Sequence, residues 1–314
     1  MRRTIIYSLC CASLLLSSCD LDVPVTDRLP DEEVWKDDNL ITGVFSRLYN
    51  QMQMEHNSTY FEGWDVWNVS LVTASDEGTG AYQAGDLGTG DVARANFNDE
   101  WFGLWEDGFK AVRATNLVLQ ELNVAEMPES KRQQLIAEAR FIRAFFYFHL
   151  LRQYGAVPLL YDEVIDPFNP SFLERSTFEE CVNYLAQELR AAADALPLEQ
   201  MGADYGRPTK ASALGVLTEL YALAASPLYN GGNIGSGDNR LLVGYDNYDV
   251  NRWENVRITA QELMGLGTHE LVKDNKTRPG NGFYLATTKR VNTERVWFLG
   301  NCKHYRLSGQ CSLT

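Results

Sequence analysis

Hydrophobic residues at helical spacing run through most of the chain. Within residues 38–55, apolar side chains recur every three or four positions, at Ile41, Val44, Phe45, Leu48, Tyr49 and Met52. This spacing predicts an amphipathic helix. The same period predicts further helices over 100–122, 129–154, 177–195, 209–225 and 251–266. Consecutive helices of this length with short connections are expected to pack as hairpins.

One helix is apolar on nearly every side. The segment EARFIRAFFYFHLLRQYGAVPLL, residues 138–160, places Phe145, Phe146, Tyr147 and Phe148 in four directions. Its uncharged run, 144–151, is far shorter than the ~20 residues that cross a bilayer. A helix that is apolar all round is otherwise buried, so this helix is predicted to be central to the core.

The predicted fold is mainly α. Small residues one turn before a ring, as in Ala137 with Phe141 and Ala144 with Phe148, resemble the packing of tetratricopeptide repeats. We therefore expect tetratricopeptide-like helix hairpins in an α-α superhelix. Long irregular loops are expected over 57–99 and 226–249, where glycine and asparagine interrupt the period.

Helix start signals support this division of the chain. Ser176, followed three residues later by Glu179, is predicted to cap the helix over 177–195. The next helix is expected to follow Arg207 and Pro208.

The first residues predict export and a lipid anchor. Residues 1–18 have a basic start, a short apolar core and small residues, which is typical of a signal peptide. The order Leu16-Ser17-Ser18-Cys19 resembles a bacterial lipobox, so Cys19 is predicted to be lipidated; an ordinary signal peptide that is cleaved elsewhere is the alternative. Residues 19–37 are expected to form an acidic, lipidated tether leading into a helical domain over 38–299.

Charge and cysteine content exclude several classes of protein. Lys and Arg number 28 against 42 Asp and Glu, a net charge of -14, and nothing offers a basic stripe for nucleic acid. Beyond the signal peptide and Cys19 only Cys181, Cys302 and Cys311 remain. Three scattered cysteines predict neither a disulfide framework nor a zinc site, and we expect no metal and no cofactor.

No catalytic constellation is evident in the sequence. The four histidines form no H-E-x-x-H motif, and neither a phosphate-binding G-x-x-x-x-G-K-[ST] nor a G-x-S-x-G motif occurs. Acid pairs lie at 76–77, 99–100 and 162–163, but glycoside hydrolysis needs two carboxylates at a defined separation. We therefore expect a protein that is not an enzyme.

His149 is predicted to be a core residue, and Arg140 and Arg143 are predicted to pair with carboxylates of neighbouring helices.

Sugar binding needs no precisely placed catalytic groups, and the irregular segment 57–105 has the residue types that it requires. Exposed aromatic rings pack on the CH face of a pyranose, while amide and carboxyl groups bond its hydroxyls. The segment holds nine aromatics, among them four of the seven tryptophans. Trp101 and Trp105 lie four residues apart on a predicted helix, so at least one of them is expected to belong to the core. The predicted ligand contacts are Trp64, Trp67, Asp76, Glu77, Asn96 and Asn98.

Several stretches together resemble one family, the SusD/RagB-like lipoproteins of Bacteroidetes. The segment over 138–160, with its Tyr154-Gly155 end, is similar to the characteristic helix of that family, and GRPTKASALGVLTELYALAASPLYN over 206–230 is a second match. The resemblance implies a cell-surface, outer-membrane lipoprotein used in polysaccharide utilization. Such a protein would capture glycans as a lid on a SusC-like TonB-dependent transporter, without catalysis. A peptide-binding helical scaffold and an all-helical glycoside hydrolase remain the alternatives.

The end of the chain departs from this family. The similarity ends near NTERVWFL, 292–299, and the tail over 300–314 shows neither a helical period nor a family likeness. Members of the family are usually longer, so we hypothesise a frame-shifted or prematurely stopped tail and an absent C-terminal part.

Overall fold

The protein is built from helices that follow one another along the chain. The computed structural model describes residues 31–52, 104–166, 173–232, 235, 237–274, 276–289 and 291–297. Its helices are α1 (Asp31–Val34), α2 (Asp38–Gln51), α3 (Leu104–Val124), α4 (Glu129–Tyr154), α5 (Phe178–Ala195), α6 (Lys210–Ala225), α7 (Arg240–Val243), α8 (Arg252–Gly265) and α9 (Asn281–Thr288). Two 3₁₀ turns span Gly202–Asp204 and Gly237–Asn239. No β-strand occurs within the described ranges, so the mainly-α prediction is confirmed.

The long helices pack in chain order. Helix α3 lies against α4, α4 against α5, α5 against α6, and α6 against α8. Helix α4 also contacts α6, and α2 packs on α3. Each inner helix is thus covered on two sides by its neighbours, which is the arrangement of stacked helix hairpins.

Helix α4 is the centre of this array, as its apolar sequence predicts. Its hydrophobic residues with no exposed surface are Ala139, Phe141, Ile142, Ala144, Phe146, Tyr147, Leu150 and Leu151. Phe145 is only partly buried. It is covered by Trp297, whose ring centroid lies 5.4 Å from that of Phe145 and 5.0 Å from that of Phe141. The chain near its described C-terminal end therefore completes the cover of α4.

Local signals set the ends of these helices. The capping box of α5 begins at Thr177, which lies one residue beyond the predicted Ser176. The Thr177 hydroxyl accepts from the Glu180 N–H, and the Glu180 carboxylate accepts from the Thr177 N–H at 2.7 Å. The prediction was wrong by one residue because both the 176/179 and the 177/180 pairs fit the same motif. Thr209 and Ser212 cap α6 in the same way.

The helical fold begins before residue 38. Helix α1 and Trp35 lie inside the segment expected to be a tether, and Trp35 is only 6% exposed. Asp37 then caps α2 by accepting from the Asn39 N–H at 2.7 Å. Burial of the Trp35 ring holds residues 31–37 against the helical array.

Candidate functional site

The residues predicted to contact sugar cannot be placed in the fold. Trp64, Trp67, Asp76, Glu77, Asn96 and Asn98 lie outside the described residues, as does Cys19, and they stay predictions. Trp105, at the end of the same segment, is described and is structural. It packs on Phe109 and Tyr154, with ring centroids at 5.0 and 5.2 Å.

Arg143 holds three elements together inside the array. Its guanidinium donates to the Glu188 carboxylate on α5 at 2.6 and 3.1 Å and to the Asn116 side-chain oxygen on α3 at 2.7 Å. It also donates to the Asp162 carboxylate at 2.7 Å. The pairing predicted for Arg143 is confirmed. Arg140 is half-buried, and it forms no ion pair with a carboxylate of the described residues.

A second buried acid connects α4 to α2 and to the loop before α6. The Glu138 carboxylate, on α4, accepts from Arg207 Nη2 at 2.5 Å and from the Tyr49 hydroxyl on α2. Burial raises the pKa of Glu138 above its usual value, although the Arg207 guanidinium opposes that shift. A carboxyl group with a shifted pKa can mark a functional site. Glu138, however, is buried and hydrogen-bonded to Arg207 and Tyr49, so its role is to connect these parts of the fold.

The other candidate chemical groups are also structural. His149 lies in the core, its ring 4.2 Å from that of Phe145, and burial lowers its pKa to about 4. Burial raises the pKa of the Cys181 thiol to about 11, which makes that thiol a poor nucleophile. In the 162–163 acid pair, Asp162 binds Arg143. The pairs at 76–77 and 99–100 and the residues His56 and His304 lie outside the described ranges.

The described residues contain neither a cluster of metal ligands nor a helix that could span a membrane. Within those ranges, no three His, Cys, Asp or Glu side chains gather where they could hold a metal ion. None of the helices in the same ranges combines the length and the apolar character that crossing a bilayer requires.

A cavity of about 340 Å³ opens where three separate segments meet. The segments are the loop between α5 and α6, the turn after α8, and the last described residues. The lining residues are Leu198, Glu199, Gln200, Met201, Tyr205, Gly206, Arg207, Thr209, Thr268, His269, Val291, Asn292, Thr293, Arg295, Val296 and Trp297. Sequence reasoning did not find this cavity, because its segments are separated by some 60 and 20 residues of intervening chain.

Hydrogen bonds fix the walls of this cavity. Trp297 Nε1 donates to the Gly206 carbonyl at 3.0 Å, which ties the last segment to the α5–α6 loop. The Glu270 N–H donates to the Thr293 carbonyl at 3.1 Å, which ties the last segment to the turn after α8. Arg207, in the wall, is held by Glu138 and by Asp204 at 2.8 Å. The cavity is therefore preformed.

The sequence matches one family model. Residues 26–222 match the SusD-like family described as starch-binding associating with outer membrane. A SusD-like protein of Bacteroides ovatus is 34% identical over 253 residues, which cover 74% of this chain and 41% of that protein. A SusD-like protein P2 of Formosa agariphila is 26% identical over 117 residues, which cover 37% of this chain and 23% of that protein.

Solved structures show the same fold. A SusD homologue from Bacteroides thetaiotaomicron matches with a TM-score of 0.56 and 24% identity, over 78% of this chain and 44% of that one. A SusD-like protein from Bacteroides fragilis matches with a TM-score of 0.54 and 23% identity, over 86% and 47%. A structure with a xylogluco-oligosaccharide matches with a TM-score of 0.52 and 21% identity, over 74% and 42%.

The matches cover only part of the length of these relatives. The chain spans about two-fifths of the curated Bacteroides ovatus relative and somewhat under half of the Bacteroides fragilis structure. The family model nevertheless covers well over half of this chain, including the central helix α4. The chain therefore belongs to the SusD-like family.

Proposed function

We propose that this protein is a cell-surface lipoprotein that binds glycans and delivers them to a SusC-like TonB-dependent transporter in the outer membrane. Membership of a family described as starch-binding associating with outer membrane carries this proposal. The lipobox-like order before Cys19 supports a surface anchor. A relative of the same fold was solved with a xylogluco-oligosaccharide, which supports an oligosaccharide as ligand.

The proposed ligand surface is the segment 57–105. It joins α2 to α3, and both helices pack in the array. A rigid helical platform beneath a loop that carries the ligand contacts is a common design for binding proteins. We assign ring stacking to Trp64 and Trp67 and hydroxyl recognition to Asp76, Glu77, Asn96 and Asn98.

Two other functions make different predictions. A peptide-binding scaffold would use the helical array itself and would bind short peptides better than glycans. A glycoside hydrolase would release sugar from a polymer. Glu138, Asp162 and Glu188 are each committed to an arginine, so none of these three is available as a catalytic carboxyl group.

Calorimetry with a panel of oligosaccharides and peptides tests the proposal. We expect the protein over residues 20–314 to bind at least one neutral oligosaccharide and to release no sugar from it. Trp64→Ala and Trp67→Ala should each weaken that binding at least tenfold, since stacking on the CH face of a sugar requires the aromatic ring. Trp253→Ala is the matched control, because Trp253 is 45% exposed on α8 and outside the proposed surface.

Each contrary outcome has a distinct meaning. Parental affinity in both tryptophan variants would reject the site assignment. Binding of peptides alone would select the scaffold, and sugar release would select the hydrolase. A panel in which no oligosaccharide binds would contradict the proposed function itself.

A further inference from the structure

We propose that the cavity between the α5–α6 loop and the last described segment is a second ligand site, which takes a neutral mono- or disaccharide. The inference goes beyond the 57–105 surface and rests on the proposed function only for its preference for sugars. The site itself is argued from the size, the charge and the hydrogen-bonding groups of the cavity.

The size and lining of the cavity suit a small organic ligand. Its volume of about 340 Å³ lies at the low end of the roughly 300–1,000 Å³ that is usual for small-molecule sites. Such a volume accommodates one or two sugar rings. Apolar side chains from Leu198, Met201, Val291, Val296 and Trp297 form much of the wall. These groups can cover the CH face of a pyranose.

The Arg207 charge in the wall is already compensated by two carboxylates, and Glu199 adds a further exposed carboxylate to the lining. The Arg207 guanidinium is bound by the Glu138 carboxylate at 2.5 Å and by the Asp204 carboxylate at 2.8 Å. Arg295 is not free either. An anionic ligand would have to displace Asp204 or the buried Glu138 from Arg207, and it would meet the repulsion of both carboxylates. The cavity therefore favours an uncharged ligand over a phosphate or a uronic acid.

The remaining polar groups match hydroxyls. His269 Nδ1 lies 3.2 Å from the Thr293 carbonyl oxygen, which only accepts, so Nδ1 is the donor of that bond and Nε2 is left for a ligand hydroxyl. Gln200 and Thr268 line the cavity, and each has a buried side-chain atom, Nε2 and Oγ1, without a partner among the described residues. Buried polar atoms normally have a partner. Both atoms have almost no accessible surface, so each side chain must rotate toward the cavity before it can bond a ligand hydroxyl.

The residues that line the cavity are different from those of the ligand surface proposed over 57–105. The cavity residues come from 198–209, 268–269 and 291–297, none of which belongs to the segment 57–105. The Val291 side chain is at the rim and is 56% exposed. A larger residue there can block the cavity without disturbing the buried array.

Titration of the protein with maltose, cellobiose and glucuronic acid, followed by saturation-transfer NMR and calorimetry, tests the inference. We expect at least one of the two neutral disaccharides to bind and glucuronic acid to bind at least tenfold more weakly. In a Trp64→Ala/Trp67→Ala background, in which the 57–105 surface does not contribute, Val291→Trp should weaken the remaining disaccharide binding at least tenfold. Val250→Trp is the matched control, because Val250 is 61% exposed and lies away from the cavity, and it should keep parental affinity.

A second pair of variants covers the case in which Val291→Trp fails to fold. Thr268→Val and Gln200→Leu remove the two polar groups, and together they should weaken binding at least fivefold while the melting temperature stays the same or rises. Bound sugar should also slow amide hydrogen exchange at 268–272 and 291–296. Parental affinity in the blocked or the double variant, tighter binding of glucuronic acid, or no disaccharide binding would each overturn the inference.

The two proposals fail separately. Loss of binding in Trp64→Ala and Trp67→Ala with no effect of Val291→Trp leaves the 57–105 surface and removes the cavity. The reverse result supports the cavity and removes the 57–105 assignment. Binding of tri-alanine, and of no sugar, in a manner sensitive to Val291→Trp would show a peptide site and overturn the sugar assignment.

Discussion

Arg143 is the largest fully enclosed side chain in the described part of the protein. It sits between three elements and satisfies acceptors on each of them: Asn116, Asp162 and Glu188. A buried ion pair adds little net stability compared with a well-packed apolar pair. Removal of one partner is costly, because the other charge stays buried and unpaired.

Replacement of Arg143 by methionine should therefore destabilise the fold by about 3–5 kcal/mol, since the Glu188 carboxylate, 9% exposed, loses its cation. The measurement is the free energy of unfolding in urea. Lys110→Met is the control, because Lys110 pairs with Glu106 at the surface, where a lost pair costs at most about 1 kcal/mol. The double variant Arg143→Met/Glu188→Met should recover much of the loss. Equal effects of Arg143→Met and Lys110→Met would contradict this account of the pair.

His149 gives the fold a defined pH dependence. Burial lowers its pKa in the folded protein to about 4, from an ordinary value of 6.5. The unfolded chain therefore binds a proton that the folded chain does not between about pH 6.5 and pH 4, and stability falls as the pH falls through this window. A pKa shift of this size changes the free energy of unfolding by up to roughly 3 kcal/mol across that pH range.

His149→Leu should flatten that part of the profile. We expect the loss of stability between pH 6.5 and pH 4 to be smaller in the variant than in the parent, whatever the variant does to stability at pH 7. Urea unfolding at half-unit pH steps measures this difference. His269→Leu is the control, since His269 is at the cavity and outside the core cluster. Profiles with the same slope in His149→Leu and in the parent would show that His149 is not the group responsible.

At the scale of elements, the end of α4 depends on one glycine. Gly155 has φ of 72°, and a Cβ there would lie 2.7 Å from the Leu242 carbonyl oxygen. That same carbonyl accepts from the Ala156 N–H at 2.7 Å, so α7 packs directly on the exit of α4. Only glycine combines this backbone conformation with such a close approach.

Gly155→Ala should therefore destabilise the protein by more than 1 kcal/mol, through backbone strain and the contact with Leu242. The matched control is Gly43→Ala in α2, where a Cβ would meet nothing within 4 Å. Alanine in a helix interior is favoured over glycine by roughly 0.5–1 kcal/mol, so the control should gain stability. Thermal unfolding of both variants provides the comparison. A gain of stability in both would remove the special role of Gly155.

The helices were predictable because their signals are local. The apolar period gave α4 its full range, Glu129–Tyr154, and placed α5, α6 and α8 to within a residue at each end. Short elements such as α1 and α9 were missed, since four or eight residues carry too little period to recognise. Trp35 shows the consequence, because its ring is buried although the composition around it suggests a tether.

At the scale of the whole molecule, the family and the core were predictable from the sequence, but the cavity was not. Phe141 and Trp297 are far apart in the chain, and their ring contact at 5.0 Å depends on how the last described segment folds back onto α4. Such long-range contacts have no periodic signal. The sugar contacts proposed for 57–105 depend on loop conformation in the same way, and residue type alone could nominate them but not bring them together.

The place of the whole molecule in the cell depends on Cys19 in the proposed function. Its thiol would become the attachment point of the lipid once the signal peptide is removed, and several acyl chains would hold the protein stably at a membrane. Cys19→Ala should abolish incorporation of labelled palmitate, leave unprocessed precursor and lower the amount of protein at the cell surface. Fluorography of immunoprecipitated protein and surface proteolysis measure these effects. Cys11→Ala is the matched control, because Cys11 lies within the same signal segment and should leave labelling unchanged. Undiminished labelling of Cys19→Ala would contradict the anchor and would favour a signal peptide cleaved elsewhere.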